Sequence, residues 1–124
     1  MADRNDEVMG HLALTISVVY SLLVDVCAML PVPIGLPISQ HIPAELAVPA
    51  IQRVTEVAPD QPMGELQLAQ LHTGCIHLLA AIDLYALCGA RYMDTRAEGV
   101  AANLLYGEEA LRHLEVWLVI NQAD

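Results

Sequence analysis

LHTGCIHLLAAIDLYALC, residues 71–88, decides the fold. Leucine, isoleucine and alanine fill it without a proline and without the apolar–polar alternation of a half-buried strand, so it reads as the middle of a long helix. Working outward, Asp60 before Pro62 and Glu65 supplies a start signal for that helix, and Gly89 a stop. Beyond it, Thr95 and Glu98 have capping-box spacing and open a last helix reaching about Asn121, with Gly107 a point where it can bend. Upstream, a first helix is expected from about Asp6 to Leu30, stopped by Pro31 and Pro33, which cannot continue the backbone ladder. An extended apolar connector, PVPIGLPISQHI (31–42), follows; five of the seven prolines lie between residues 31 and 49. Pro43 with Ala44, Glu45 and Leu46 looks like the first turn of a short second helix ending near Val57, which Pro49 either kinks or properly begins. No internal repeat or low-complexity tract is present. The expected fold is all-α: a four-helix, bundle-like single domain over residues 1–124 with a proline-rich connector after the first helix.

Composition bounds the function. The chain has 124 residues, enough for one core. Hydrophobic residues make up 56%, Phe is absent and Trp117 is the sole tryptophan, so that core must be aliphatic. Five arginines (Arg4, Arg53, Arg91, Arg96, Arg112) and no lysine face fifteen carboxylates, for a net charge of −10. A surface of that sign repels phosphate, which argues against nucleic acid and anionic membranes as partners. Cys27, Cys75 and Cys88 lack CxxC spacing, and the chain opens on acidic MADRNDE where a secretory leader is basic. Reduced thiols and a cytoplasmic location are expected. The run LALTISVVYSLLV (12–24) is interrupted by Asp25 before about 20 apolar residues are complete, and no basic cluster flanks it, so no membrane span is expected. The lack of lysine and the Ala/Val/Leu/Arg bias match GC-rich bacterial coding.

Placing residues at about 100° steps shows what each helix offers its neighbours. On the first helix Val8, Leu12, Ile16, Val19, Leu23, Val26 and Leu30 share one face, while Gly10, Ala13, Ser17, Ser21 and Ala28 form a reverse face of small residues open to close helix approach. That helix is expected to be covered on both sides. On the last, Val100, Leu104, Leu111, Leu114 and Leu118 make the core stripe, and Val116, Val119 and Ile120 point elsewhere. Each large aliphatic group left in water forfeits about 1.5–3 kcal/mol, so a homodimer paired through the first or last helix is expected.

The polar residues inside these apolar helices carry the chemistry. Glu65, His72 and Asp83 fall within one narrow arc, whereas His77 lies about 140° from His72. The two histidines therefore cannot chelate together. His72 and Asp83 are separated by roughly 16 Å along the axis, too far to share an ion or a proton. Cys75, one turn from His72, lacks partners of recognisable metal spacing, and Glu7/His11 and Glu109/His113 are i,i+4 pairs rather than the Glu-x-x-His of di-metal bundles. No metal and no cofactor is expected. Asp25, one turn after Ser21, and Asp83 sit among aliphatic neighbours; a buried carboxylate needs an answering group, an arginine (Arg91, Arg96, Arg112), a histidine or a ligand. No G-x-S-x-G, Walker, G-x-G-x-x-G, H-E-x-x-H or zinc-ribbon motif occurs.

Three functional classes follow. The favoured expectation is a homo-oligomeric protein with a small-molecule site: Asp25, His72 and Asp83 as acid–base residues, Tyr20, Tyr85 and Cys75 as substrate contacts, and the connector as a lid. The second is a helical protein–protein interaction module. The third, weaker, is a metal-binding bundle.

Overall fold

The computed structural model describes residues 3–38 and 42–122. Among them lie four helices, α1 (Arg4–Met29), α2 (Ala44–Val57), α3 (Glu65–Ala90) and α4 (Asp94–Gln122), with a single 3₁₀ turn at Ala58–Asp60 and no strand. The fold is an all-α bundle, as the sequence predicts.

The helix ends follow from local chemistry. The Asp3 carboxylate accepts the Asp6 N–H at 2.9 Å, so α1 begins two residues before the expected Asp6, and Asp6 and Glu7 in its first turn favour the positive end of the helix dipole. Pro31 lies just past its end. Asp60 does not cap α3; it belongs to the 3₁₀ turn, and Gly64 precedes α3 without a side-chain cap. Nor is Thr95 the start of α4, which begins at Asp94, with the Ala97 N–H donating to the Met93 carbonyl at 3.1 Å. Pro43 leads into α2, its carbonyl accepting the N–H groups of Leu46 and Ala47, and Pro49 lies inside a continuous helix.

α3 and α4 form an antiparallel hairpin across Arg91–Met93, and this is the closest seam of the molecule. Glycine permits it. A Cβ on Gly107 would stand 3.3 Å from the His77 Cβ and 3.4 Å from the Gly74 carbonyl, so Gly107 serves close approach rather than a bend. α1 packs on both helices. Gln122 Nε2 donates to the Met29 carbonyl at 2.6 Å, which brings the C-terminal ends of α1 and α4 together, and Met9 reaches Gly89, which sets α1 antiparallel to α3. α2 leans on α3, and its backbone does not come close to that of α1.

The core is aliphatic. Val19, Leu23 and Val26 of α1, Ile51 and Val54 of α2, Leu71 and Leu78 of α3, and all five residues of the expected α4 stripe are buried. Val116, Val119 and Ile120 are exposed, again as the wheel predicts. Within a single chain the small-residue face of α1 stays open: Gly10, Ser17, Ser21 and Ala28 are exposed and Ala13 is half-buried, and among the described residues no helix packs closely along that face. α1 and α3 are each long and apolar enough to cross a membrane by length and composition, α1 with a mean hydropathy of 2.1 over an 18-residue stretch.

Candidate functional site

The uncovered face of α1 lines a cleft of about 400 Å³. Ala13, Ser17, Ser21 and Asp25 recur at four-residue steps along one edge, and Ile16, Tyr20 and Val24 form the adjoining row. Ile82 and Tyr85 of α3, Ala44 and Ala47 of α2, and Ile38 and Ile42 of the connector complete the lining. α1 and α2 stand apart, and the cleft is the gap between them.

Three hydrogen-bonded ties hold the connector as a wall. The buried Tyr20 hydroxyl donates to the Pro37 carbonyl at 2.9 Å. The Ile34 N–H donates to the Cys27 carbonyl at 3.0 Å, satisfying one of the carbonyls that the end of α1 leaves unpaired. Gln61, the buried polar residue next to the 3₁₀ turn, takes the Val32 N–H on its Oε1 at 2.9 Å and donates from Nε2 to the Val32 carbonyl at 2.6 Å. One side-chain amide thus satisfies both backbone groups of Val32, as a neighbouring strand would. A second cavity, of about 680 Å³, lies between the connector and α2, where Arg53, Asp60 and Gln61 meet Val32–Pro37. Of the expected lid, Ser39–His41 lie outside the described residues.

The residues singled out from sequence divide into two groups. Tyr20, Asp25 and Tyr85 are brought to the cleft. His72 and Asp83 are exposed and do not line it, and Cys75 is fully buried in the core. The acid–base constellation of Asp25, His72 and Asp83 is therefore not assembled at one place. Even within the cleft, Tyr85 and Asp25 are far apart: with Met9 opposite Gly89, the antiparallel register sets Tyr85 near Ala13, about 18 Å along α1 from Asp25.

Neither aspartate is buried, contrary to the sequence expectation. Both are exposed, so water solvates them and no arginine is required. Among the described residues the ion pairs are Arg112 with Glu108 at 3.8 Å and with Glu115 at 3.3 Å. Arg96 instead donates to the Arg91 carbonyl at 2.7 Å, bracing the α3–α4 turn. Of the aliphatic neighbours that suggested burial, Val26 points into the core and Val24 lies in the adjoining row of the cleft.

Burial acts on the hydroxyl and thiol groups instead. Desolvation raises the Tyr20 pKa, with a further contribution from Cys27, and pushes the Cys27 thiol up to about 12. The same effect raises Cys75, again with Cys27 adding to it, so neither thiol is an activated nucleophile. His77 is the imidazole with a fixed partner: its Nδ1 lies 2.9 Å from Asn103 Oδ1, whose amide nitrogen donates to the Gly99 carbonyl at 2.9 Å, and its ring packs on Tyr106 at 5.7 Å between centroids. That pairing joins α3 to α4 away from the cleft. Among the described residues no three His, Cys, Asp or Glu side chains converge as a metal site.

Sequence reasoning missed Ile82, Ala44 and Ala47 as lining residues, whereas Ile38 and Ile42 belong to the connector it had placed over the site. α1 carried the other readable signal, its four-residue row of small side chains leading to Asp25. Comparison with protein families, with curated proteins and with solved structures found no match to this chain.

Proposed function

We propose that the protein binds a small organic molecule in the cleft between α1 and α2. One observation carries the reading: an apolar cavity of about 400 Å³, inside the range of small-molecule sites, is edged by a few polar groups, three of which sequence reasoning had singled out. The role assigned to the site is binding and orientation. Acid–base catalysis by Asp25 with His72 or Asp83 does not belong to it, since those two side chains lie off the cleft. A cytoplasmic location is part of the reading, supported by three free, buried cysteines.

The test uses Nile red, a neutral probe of apolar sites. Wild-type protein should bind it one to one with a blue-shifted emission, and Ala13→Trp, which plugs the cleft from a half-buried position, should abolish the shift while the thermal transition is retained. His72→Ala and Asp83→Asn should leave binding unchanged. Equal binding by wild type and Ala13→Trp overturns the reading.

The second reading, an interaction module, is favoured by one specific observation: Leu105, Val116, Val119 and Ile120 of α4 are all exposed. Under our reading this edge joins two copies of the chain. Light scattering separates the two, since a stable dimer supports the binding protein and an aggregating monomer rescued by another protein supports the module.

A further inference from the structure

We infer that the occupant of the cleft is a single-chain amphipathic cation, an apolar body ending in an ammonium or comparable basic head that lies at Asp25. This deepens the binding reading above and rests on it. Three independent features select that chemistry.

The first is shape. From Ala13 to Asp25 the cleft follows twelve helical steps, about 18 Å, so it suits an extended molecule rather than a compact one. Along that length the inner row of Ile16, Tyr20 and Val24 offers an apolar bed, and Ile82 faces it from α3.

The second is the distribution of charge. Asp25 is the single ionisable carboxylate among the described lining residues, and it stands at one end. None of the five arginines lines the cleft and the chain has no lysine, so an anionic head would meet no positive side chain within the described lining. A fatty acid or phosphate ester would have to enter an unanswered negative field, on a protein of net charge −10.

The third is the helix terminus. Asp25 lies in the last turns of α1, where aligned backbone carbonyls carry the negative end of the dipole, and that last turn holds no basic residue of its own. Carboxylate and dipole therefore act in the same direction on a cation placed there.

The experiment titrates isotope-labelled protein with three probes of one chain length, decylammonium, decanol and decanoate, following amide shifts of the cleft residues by NMR. Decylammonium should bind tightest, about fivefold tighter than decanol, with decanoate weakest, a ratio in keeping with one exposed ion pair. Asp25→Asn, a change at an exposed position, should remove the preference for decylammonium over decanol, and added salt should do the same to the wild type. Ala13→Trp should abolish binding of all three. Decanoate binding as well as decylammonium, or an unaltered preference in Asp25→Asn, overturns the assignment of a cationic head while the cleft survives as a binding site. Failure of all three probes to shift the cleft residues overturns the binding reading itself.

Discussion

Two glycines on neighbouring helices show how little of a residue's meaning lies in its type. Gly10 has open space where a Cβ would stand, whereas a Cβ on Gly74 would meet Leu111 at 2.5 Å, at both its Cγ and a terminal carbon. Leu111 is fully buried and has nowhere to retreat. Gly10→Ala should therefore stabilise the protein by about 0.5–1 kcal/mol, the ordinary helix-interior difference, and Gly74→Ala should cost about 1–3 kcal/mol, the overpacking outweighing the gain in propensity. Urea denaturation of the two variants checks the opposite signs. The aspartates teach the same lesson from the other side. Asp25 and Asp83 looked buried because their sequence neighbours are aliphatic, but neighbours in sequence lie about 100° apart on a helix and report on other faces. What the wheel could resolve was which residues share a face with Asp25; what it could not resolve was whether any helix would come to cover that face.

At the scale of elements, the helices were legible and their junctions less so. Long runs of helical period and the proline block after Leu30 placed all four helices to within a few residues, because those signals are repeated many times over. The starts of α3 and α4 rested on short local signals, Asp60 with Pro62 and Glu65 and Thr95 with Glu98; Asp60 is drawn into the 3₁₀ turn, and α4 begins one residue before Thr95. The connector was the least legible part. Its shape depends on Gln61, which lies 29 residues from Val32 and carries no local signature of that task. Gln61→Ala should cost about 1–2 kcal/mol for the two lost hydrogen bonds and should speed amide exchange at Val32 and Ile34 while leaving α3 and α4 protected. Hydrogen-exchange mapping of the variant distinguishes this local loosening from a general loss of stability.

Over the whole molecule, the Cys27 and Cys75 thiols buried in the aliphatic core make stability a function of alkaline pH. In the unfolded chain Cys27 releases its proton near 9.0, and in the folded chain burial holds it to about 12. The folded protein thus binds more protons across that interval, so the contribution is intact below pH 9 and is lost as the pH rises toward 12. Cys75 and Tyr20 shift in the same direction. Urea midpoints should be flat from neutrality to pH 9 and fall beyond it, with a shallower fall in Cys27→Ala; a flat profile throughout would show that these protons are not linked to folding.

The lean of α2 on α3 alone carries a last consequence. The backbone of α2 comes near α3 but not α1, while Ala47, Ile51 and Val54 reach into the interior that all four helices share, so those three side chains set the width of the gap it guards. Trimming or enlarging those three side chains would shift α2 toward or away from α1 as one turns the jaw of a vice. Selectivity for thicker or thinner occupants is thereby coupled to the core, since Ile51 and Val54 are fully buried and each change of volume there also costs stability.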